Sequence, residues 1–181
     1  MLTNFKRFVG FKVLEYFLKY PTKKTYLKEL AKNLDISPRS AKIYCDLFEQ
    51  DGIINREIKG NIHLFSTNND NFYVREMKRA YIALVLKEMD IEQVSQDAVS
   101  IALYGSYASG SNDEKSDLDI LILGEEQNVK REKIIDIMKK IDIEIQLTVL
   151  PALKWEKMKK EHDSFAESIL RNSLLIKGAE L

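Results

Sequence analysis

Apolar residues near the start of the chain recur at steps of three and four: Phe5, Phe8, Val9, Val13, Phe17 and Leu18. That spacing stacks them on one face of a helix, which Pro21 ends. A second helical pattern over residues 25–34 turns Tyr26, Leu27, Leu30, Ala31 and Leu34 inward. Ser37-Pro38 then marks a helix start, a side-chain cap followed by proline at the first helical position. The third helix gathers Ala41, Tyr44, Cys45 and Phe48 on one side and closes at Asp51-Gly52. Beyond it the period shifts to two. Residues 53–58 and 62–65 read as strands joined by a turn at Lys59-Gly60-Asn61.

The unbroken polar stretch over residues 66–71 places a domain boundary. Helical periodicity returns over residues 72–89 through Val74, Met77, Tyr81, Leu84 and Val85, as a connecting helix. Residues 99–104 form a short apolar strand, residues 105–115 are small and polar, and residues 119–123 form a second buried strand. A helix over residues 129–141 leads to a third strand over 143–150. Helices over 152–161 and 165–171, with Leu174, Leu175 and Ile176, complete the chain. The expected organisation is a first domain over residues 1–70, a connecting helix over 71–96 and a second domain over 97–181. The fold class is α+β, the second domain built on a small mixed sheet flanked by helices.

At 45% hydrophobic residues the chain can bury an ordinary core. The formal net charge of zero hides an asymmetry: residues 1–70 carry 12 Lys and Arg against 8 Asp and Glu. The basic first part suits nucleic acid, and the acidic remainder suits metal ions. One cysteine, Cys45, excludes a disulfide framework, so a cytoplasmic location is expected. Lys6, Arg7, Lys12, Glu15 and Lys19 interrupt the apolar N-terminus, so neither a signal sequence nor a membrane partner is expected. Cys45 falls on the buried helix face as a core residue, and Trp155 packs a helix on the sheet. Lys154, Lys157, Lys159 and Lys160 read as a solvated face.

The chemistry is concentrated in ALYGSYASGSNDEKSDLDILIL. A buried strand ends at Tyr104, and Gly105-Ser106 follows without bulk. Glycine lets backbone approach a ligand closely, and the serine hydroxyl adds a donor for phosphate. Asp117 and Asp119 stand two apart at the edge of an apolar strand, so their carboxylates share a face and repel. A divalent cation, Mg²⁺ or Mn²⁺, relieves that repulsion and also grips triphosphate oxygens. The following strand offers a third carboxylate: its polar positions Asp142, Glu144 and Gln146 alternate with Ile141, Ile143, Ile145 and Leu147. Glu144 is preferred as a charged residue in mid-strand, with Asp142 as the alternative. Two cations so held would activate an attacking hydroxyl and stabilise a leaving pyrophosphate.

Gly-Ser, about ten residues, then Asp-x-Asp entering an apolar strand resembles the DNA polymerase β-like nucleotidyltransferase superfamily, and the short length resembles its minimal branch. The resemblance implies that Gly105 and Ser106, with Ser116, contact the nucleotide. It implies that Asp117, Asp119 and Glu144 are the catalytic metal ligands. Ser109 stands where many minimal members carry arginine. Similar minimal enzymes in toxin–antitoxin pairs adenylylate a partner toxin, so a partner protein is a candidate acceptor of NMP from an NTP, with ATP the expected donor.

SPRSAKIYCDLFEQDGIINREIKGNIHLF resembles the recognition helix and wing of winged helix-turn-helix proteins. Arg39, Ser40 and Lys42 at the helix start, with Arg56 and Lys59 on the wing, are then candidates for DNA contact. A homodimer is a further expectation. The competing function is a DNA-binding regulator whose nucleotidyltransferase-like domain only senses a nucleotide, and protein docking is the third.

Overall fold

The computed structural model describes residues 2–181, which divide into two compact units at Tyr81 and Ile82. The first unit opens with a short helix α1 (Leu2–Phe5) and α2 (Val9–Lys19). A two-residue strand β1 (Thr25–Tyr26) leads directly into α3 (Leu27–Leu34), α4 (Pro38–Gln50) and the hairpin β2 (Ile54–Lys59) and β3 (Ile62–Thr67). The sheet order is β1-β3-β2, antiparallel throughout.

Ser37 caps α4 as its sequence demands: the side-chain oxygen accepts the amide of Ser40 at 3.0 Å, and Pro38 takes the first helical position. The core gathers Val13 and Phe17 of α2, Leu30 and Ala31 of α3, Ala41 and Cys45 of α4, and Ile54 and Phe65 of the hairpin. Burial pushes the Cys45 thiol up to about 12, as befits an inert core residue.

Three expectations are corrected here. Thr25 and Tyr26 are strand, not helix, because they pair with Phe65 and Leu64 of β3. That pairing leaves Tyr26 exposed instead of inward. Phe5 and Phe8 precede α2 and lie exposed, Phe5 resting on Phe11 with ring centroids 5.5 Å apart. The boundary expected over residues 66–71 overlaps the end of β3, and the compact units divide at Tyr81 and Ile82: Ser66 and Thr67 belong to β3, and the buried Thr67 hydroxyl donates to the Phe17 carbonyl at 2.7 Å. Asn68 and Asn71 side-chain amides both donate to the Gly52 carbonyl at 2.9 Å, fastening this stretch to the end of α4.

The helix α5 (Phe72–Glu88) spans the division between the units. The second unit continues with a 3-10 turn (Ile91–Val94), β4 (Ser100–Tyr104), α6 (Gly105–Ser109), β5 (Leu118–Leu123) and α7 (Arg131–Ile141). It closes with β6 (Ile145–Leu150), α8 (Ala152–Lys160), α9 (Ser164–Arg171) and β7 (Leu174–Gly178). The sheet runs β6-β5-β4-β7; β5 and β6 are parallel and the other pairs antiparallel, the small mixed sheet expected.

The two faces of β5 explain its continuous apolar run. Leu118, Ile120 and Ile122 face the core that contains Ile82 and Leu86 of α5 and Ile134, Ile137 and Ile141 of α7. Leu121 and Leu123 face Trp155 of α8 and Ala166 and Ile169 of α9. Asp119 lies in step with Leu121 and Leu123, so it belongs to the α8–α9 face, beyond the point where the apolar packing stops. Among the described residues, no helix is long and apolar enough to cross a membrane.

Candidate active site

Tyr104, the last residue of β4, is the register partner of Asp119. The chain then turns sharply into α6 through Gly105, whose φ of +70° is a left-handed conformation that glycine adopts without strain. The lack of a side chain matters as much as the angle. A Cβ at this position would stand 2.2 Å from Asp119 Oδ2, so the carboxylate lies directly against the glycine. Ser106 follows in the first turn of α6, half-exposed.

Asp117 immediately precedes β5, two residues before Asp119, and both carboxylates are half-buried. Partial desolvation, reinforced by the charge of Asp117, holds the Asp119 carboxyl above the ordinary aspartate range. The Gln146 side-chain amide donates to Asp117 Oδ2 at 2.6 Å. Gln146 is also the register partner of Asp119 across the parallel pair, so β6 places an amide beside the acid pair.

Beside this group, the Tyr104 hydroxyl and Thr148 Oγ1 are 2.9 Å apart, and the Tyr104 ring meets Phe165 edge-on at 5.7 Å. The loop between α6 and β5 is tied by local bonds. The Ser109 hydroxyl donates to the Ser106 carbonyl at 3.0 Å, and Asn112 hydrogen-bonds the buried Tyr107 hydroxyl. Ser116 is part of the same clasp: its hydroxyl donates to Asp113 Oδ1 at 3.0 Å and accepts the Asp113 amide at 2.9 Å. Bonds from the Lys115 amide and the Ser116 hydroxyl hold the Asp113 carboxyl below its usual range. Ser116 therefore shapes the approach to Asp117.

The structure corrects the setting of Glu144. It is exposed and lies just ahead of β6, not in mid-strand. The physical reason is the end of α7, where Asp142 takes a left-handed conformation at φ 56° and the following residues are used in reaching the strand. The Glu144 carbonyl accepts the Leu118 amide at 2.8 Å, while Asp142 is also exposed. Among the described residues, no three His, Cys, Asp or Glu side chains are grouped to hold a metal ion. The donor set is a pair of hard carboxylates beside a cradle that any side chain at position 105 would fill. That pair suits a cation such as Mg²⁺, which keeps several waters and binds one or two carboxylates together with substrate phosphates.

A family model of nucleotidyltransferase domains matches residues 82–176, which is more than half of the chain and takes in every residue of this site. The chain belongs to the nucleotidyltransferase family. A Methanocaldococcus jannaschii protein, provisionally named a protein adenylyltransferase, is 35% identical to this nucleotidyltransferase over 74 residues, 38% of this chain and 75% of that protein. A crystal structure of a toxin–antitoxin pair with AMP-PNP covers 56% of this nucleotidyltransferase and 74% of its own chain. Its identity is 17% and its TM-score 0.34, too low to bear on fold or function.

The residues expected on the DNA side fall in the first unit. Arg39 and Lys42 are exposed on α4, and Lys42 pairs with Asp46. Ser40 is tied to the Ser37 cap through its amide and, at 2.9 Å, its hydroxyl. Lys59 is exposed at the hairpin tip, 3.5 Å from Glu57. Arg56 differs from the others: its guanidinium lies over the Phe65 ring, 5.0 Å from the centroid, and is paired with both Asp46 and Glu49 of α4. Its charge is engaged inside the unit. Gln146 is the site residue that the sequence reading passed over; its signal was the two-residue alternation it shares with Glu144.

Proposed function

We propose that the second unit transfers a nucleoside monophosphate from a nucleoside triphosphate, ATP first among them, to a hydroxyl acceptor. The acceptor oxygen bonds to the α-phosphorus as the bridging α–β bond breaks and pyrophosphate leaves. The observation that carries this is the Asp119 carboxylate lying against side-chain-less Gly105, with Asp117 two residues away. Gly105 permits close approach of phosphate to backbone, and Ser106 offers a hydroxyl donor. Asp117 and Asp119 would hold Mg²⁺ or Mn²⁺, and exposed Glu144, two residues ahead of Gln146, is the candidate for a third ligand. The cation supplies charge neutralisation for the phosphates and the leaving group. Gln146 fixes the rotamer of Asp117, and Ser116 fixes the loop that delivers it.

A protein hydroxyl is the leading acceptor class, supported by the name of the Methanocaldococcus jannaschii relative. The test is incubation with labelled ATP, Mg²⁺ and candidate acceptor proteins. Label transfer that disappears in Asp117→Ala plus Asp119→Ala supports the reading. Nucleotide binding without turnover, indifferent to those substitutions, overturns it in favour of a nucleotide-sensing regulator.

The first unit supports a second reading, a winged helix-turn-helix that binds DNA. Its helix, strand, two helices and two-stranded hairpin follow that order, and the capped α4 would be the recognition helix. Arg39 and Lys42, with Lys59 on the wing, are the phosphate contacts in this reading. Duplex affinity measured against salt concentration tests it, since phosphate contacts must give a steep negative slope.

A further inference from the structure

β6 is an edge of the second unit's sheet, with β5 as its strand neighbour. The Leu118 amide donates to the Glu144 carbonyl at 2.8 Å and the Gly124 amide to the Leu150 carbonyl at 2.9 Å. The even-numbered positions from Glu144 to Leu150 therefore bond to β5. Alternation turns the amides and carbonyls of Ile145, Leu147 and Val149 away from the sheet, where among the described residues no other group bonds them. Edge strands are ordinarily blunted by a charge, a proline or a bulge. Ile145–Leu150 includes no charged residue and no proline, and its register with β5 runs without a break.

Two further observations point to what covers this edge. Beside it lies an apolar groove of about 250 Å³, lined by Ile134, Ile135 and Met138 of α7 with Ile145 and Leu147 of β6. Arg131 at its rim is already paired with Glu126, and Ile135 is 49% exposed. Glu132 and Lys139, three residues before Ile135 and four after it, are its neighbours on the helix surface. Both are exposed and, among the described residues, neither has an ion-pair partner. The shoulder of the groove thus carries an acid at one end and a base at the other.

We propose that a second copy of this chain covers the edge, the two β6 strands pairing antiparallel about a two-fold axis at Leu147. Ile145 then faces Val149 of the second copy and Leu147 faces its own counterpart, each pair exchanging amide–carbonyl bonds in both directions. A contact of this symmetry must be self-complementary. The strand meets that condition because it holds no charge to repel its copy. The helix meets it because the two-fold reverses one α7 against the other, covering Ile135 and bringing Glu132 of each copy to Lys139 of the other. A strand from an unrelated protein would satisfy the backbone alone.

The test is analytical ultracentrifugation of the full chain over a range of concentrations, with deuterium exchange read amide by amide. A reversible dimer is expected. The Ile145, Leu147 and Val149 amides should exchange several-fold more slowly in it than in the diluted monomer, while those of Gln146 and Thr148, already bonded to β5, change little. Ile135→Lys should weaken the dimer about tenfold or more. Glu132→Lys should weaken it as well, and adding Lys139→Glu should restore it, an outcome that damage to the fold cannot produce. A chain that stays monomeric overturns the proposal. So does a dimer that leaves the Ile145, Leu147 and Val149 amides unprotected, or one indifferent to Ile135→Lys and to the charge reversal. Protection that appears only when another protein is added assigns the edge to that protein and overturns self-pairing.

Discussion

The Gln146 amide nitrogen stands 2.6 Å from Asp117 Oδ2, so a neutral donor from β6 orients one member of the acid pair. Groups that orient metal-binding carboxylates commonly matter 10–100-fold for metal affinity, though they touch no cation themselves. Gln146→Leu should therefore weaken divalent-cation binding by roughly that factor. Gln146→Glu brings a third negative charge against Asp117 and should lower the stability of the cation-free protein. Calorimetric Mn²⁺ titration of both variants, with thermal unfolding in chelator, checks these outcomes.

Gly105 is expected to tolerate no substitution. Alanine there would meet Asp119 Oδ2 at 2.2 Å and would sit at φ +70°. The backbone penalty is about 1–2 kcal/mol, and displacement of the carboxylate is a separate effect on catalysis. A Gly105→Ala protein that still folds should show transferase activity reduced by about 100-fold or more, since a displacement near 1 Å costs that much in oriented catalysis. Pairing denaturant unfolding with initial rates separates the two effects.

The raised Asp119 carboxyl fixes a pH dependence. A carboxyl whose folded pKa lies above its unfolded value stabilises the fold when protonated. That contribution is complete below the unfolded pKa and is lost as pH rises through the folded one. Without cations, the folded protein is thus expected to gain relative stability from Asp119 on acidification, against the trend of ordinary paired carboxylates. Cation binding runs the opposite way: protons compete, so affinity should fall with acidification from a higher pH than for an unperturbed aspartate. Asp119→Asn should remove both dependences, raise the thermal midpoint slightly and abolish transfer. Unfolding and Mn²⁺ titrations across pH in wild type and variant provide the measurement.

Arg56 and Arg39 should separate stability from DNA contact. Arg56 bridges Asp46 and Glu49 over the Phe65 ring, so Arg56→Ala is expected to cost about 2 kcal/mol in stability. Arg39 is exposed on α4, and its loss should leave stability nearly unchanged. In a DNA-binding assay, Arg39→Ala should lower the magnitude of the salt slope by about one. Chemical denaturation and salt-dependent binding of the two variants distinguish the roles.

Much of the site was legible because it lies in one continuous segment. Gly105, Ser106, Asp117 and Asp119 are separated by a short loop between apolar strands, and strand periodicity places both acids on one face without knowledge of a partner strand. Gln146 was not legible in that way. Choosing it over Glu144 depends on how many residues the end of α7 consumes, which the left-handed turn at Asp142 decides. Thr25 and Tyr26 are too few to display a strand period, and only their pairing with β3 reveals them. Arg56 had a readable sign: it shares the strand face of buried Ile54, which argues for an inward setting.

The position of β5, with β4 on one side and β6 on the other, has a thermal consequence. An edge strand or a surface loop can fray while the rest of a protein persists, and a site mounted there fails early on heating. Asp119 instead belongs to an interior strand whose flanking residues Leu118, Ile120 and Leu121 are wholly shielded from solvent. Inactivation on heating should therefore track melting of the second unit's whole sheet, and backbone amides around Asp119 should rank among its slowest to exchange with deuterium.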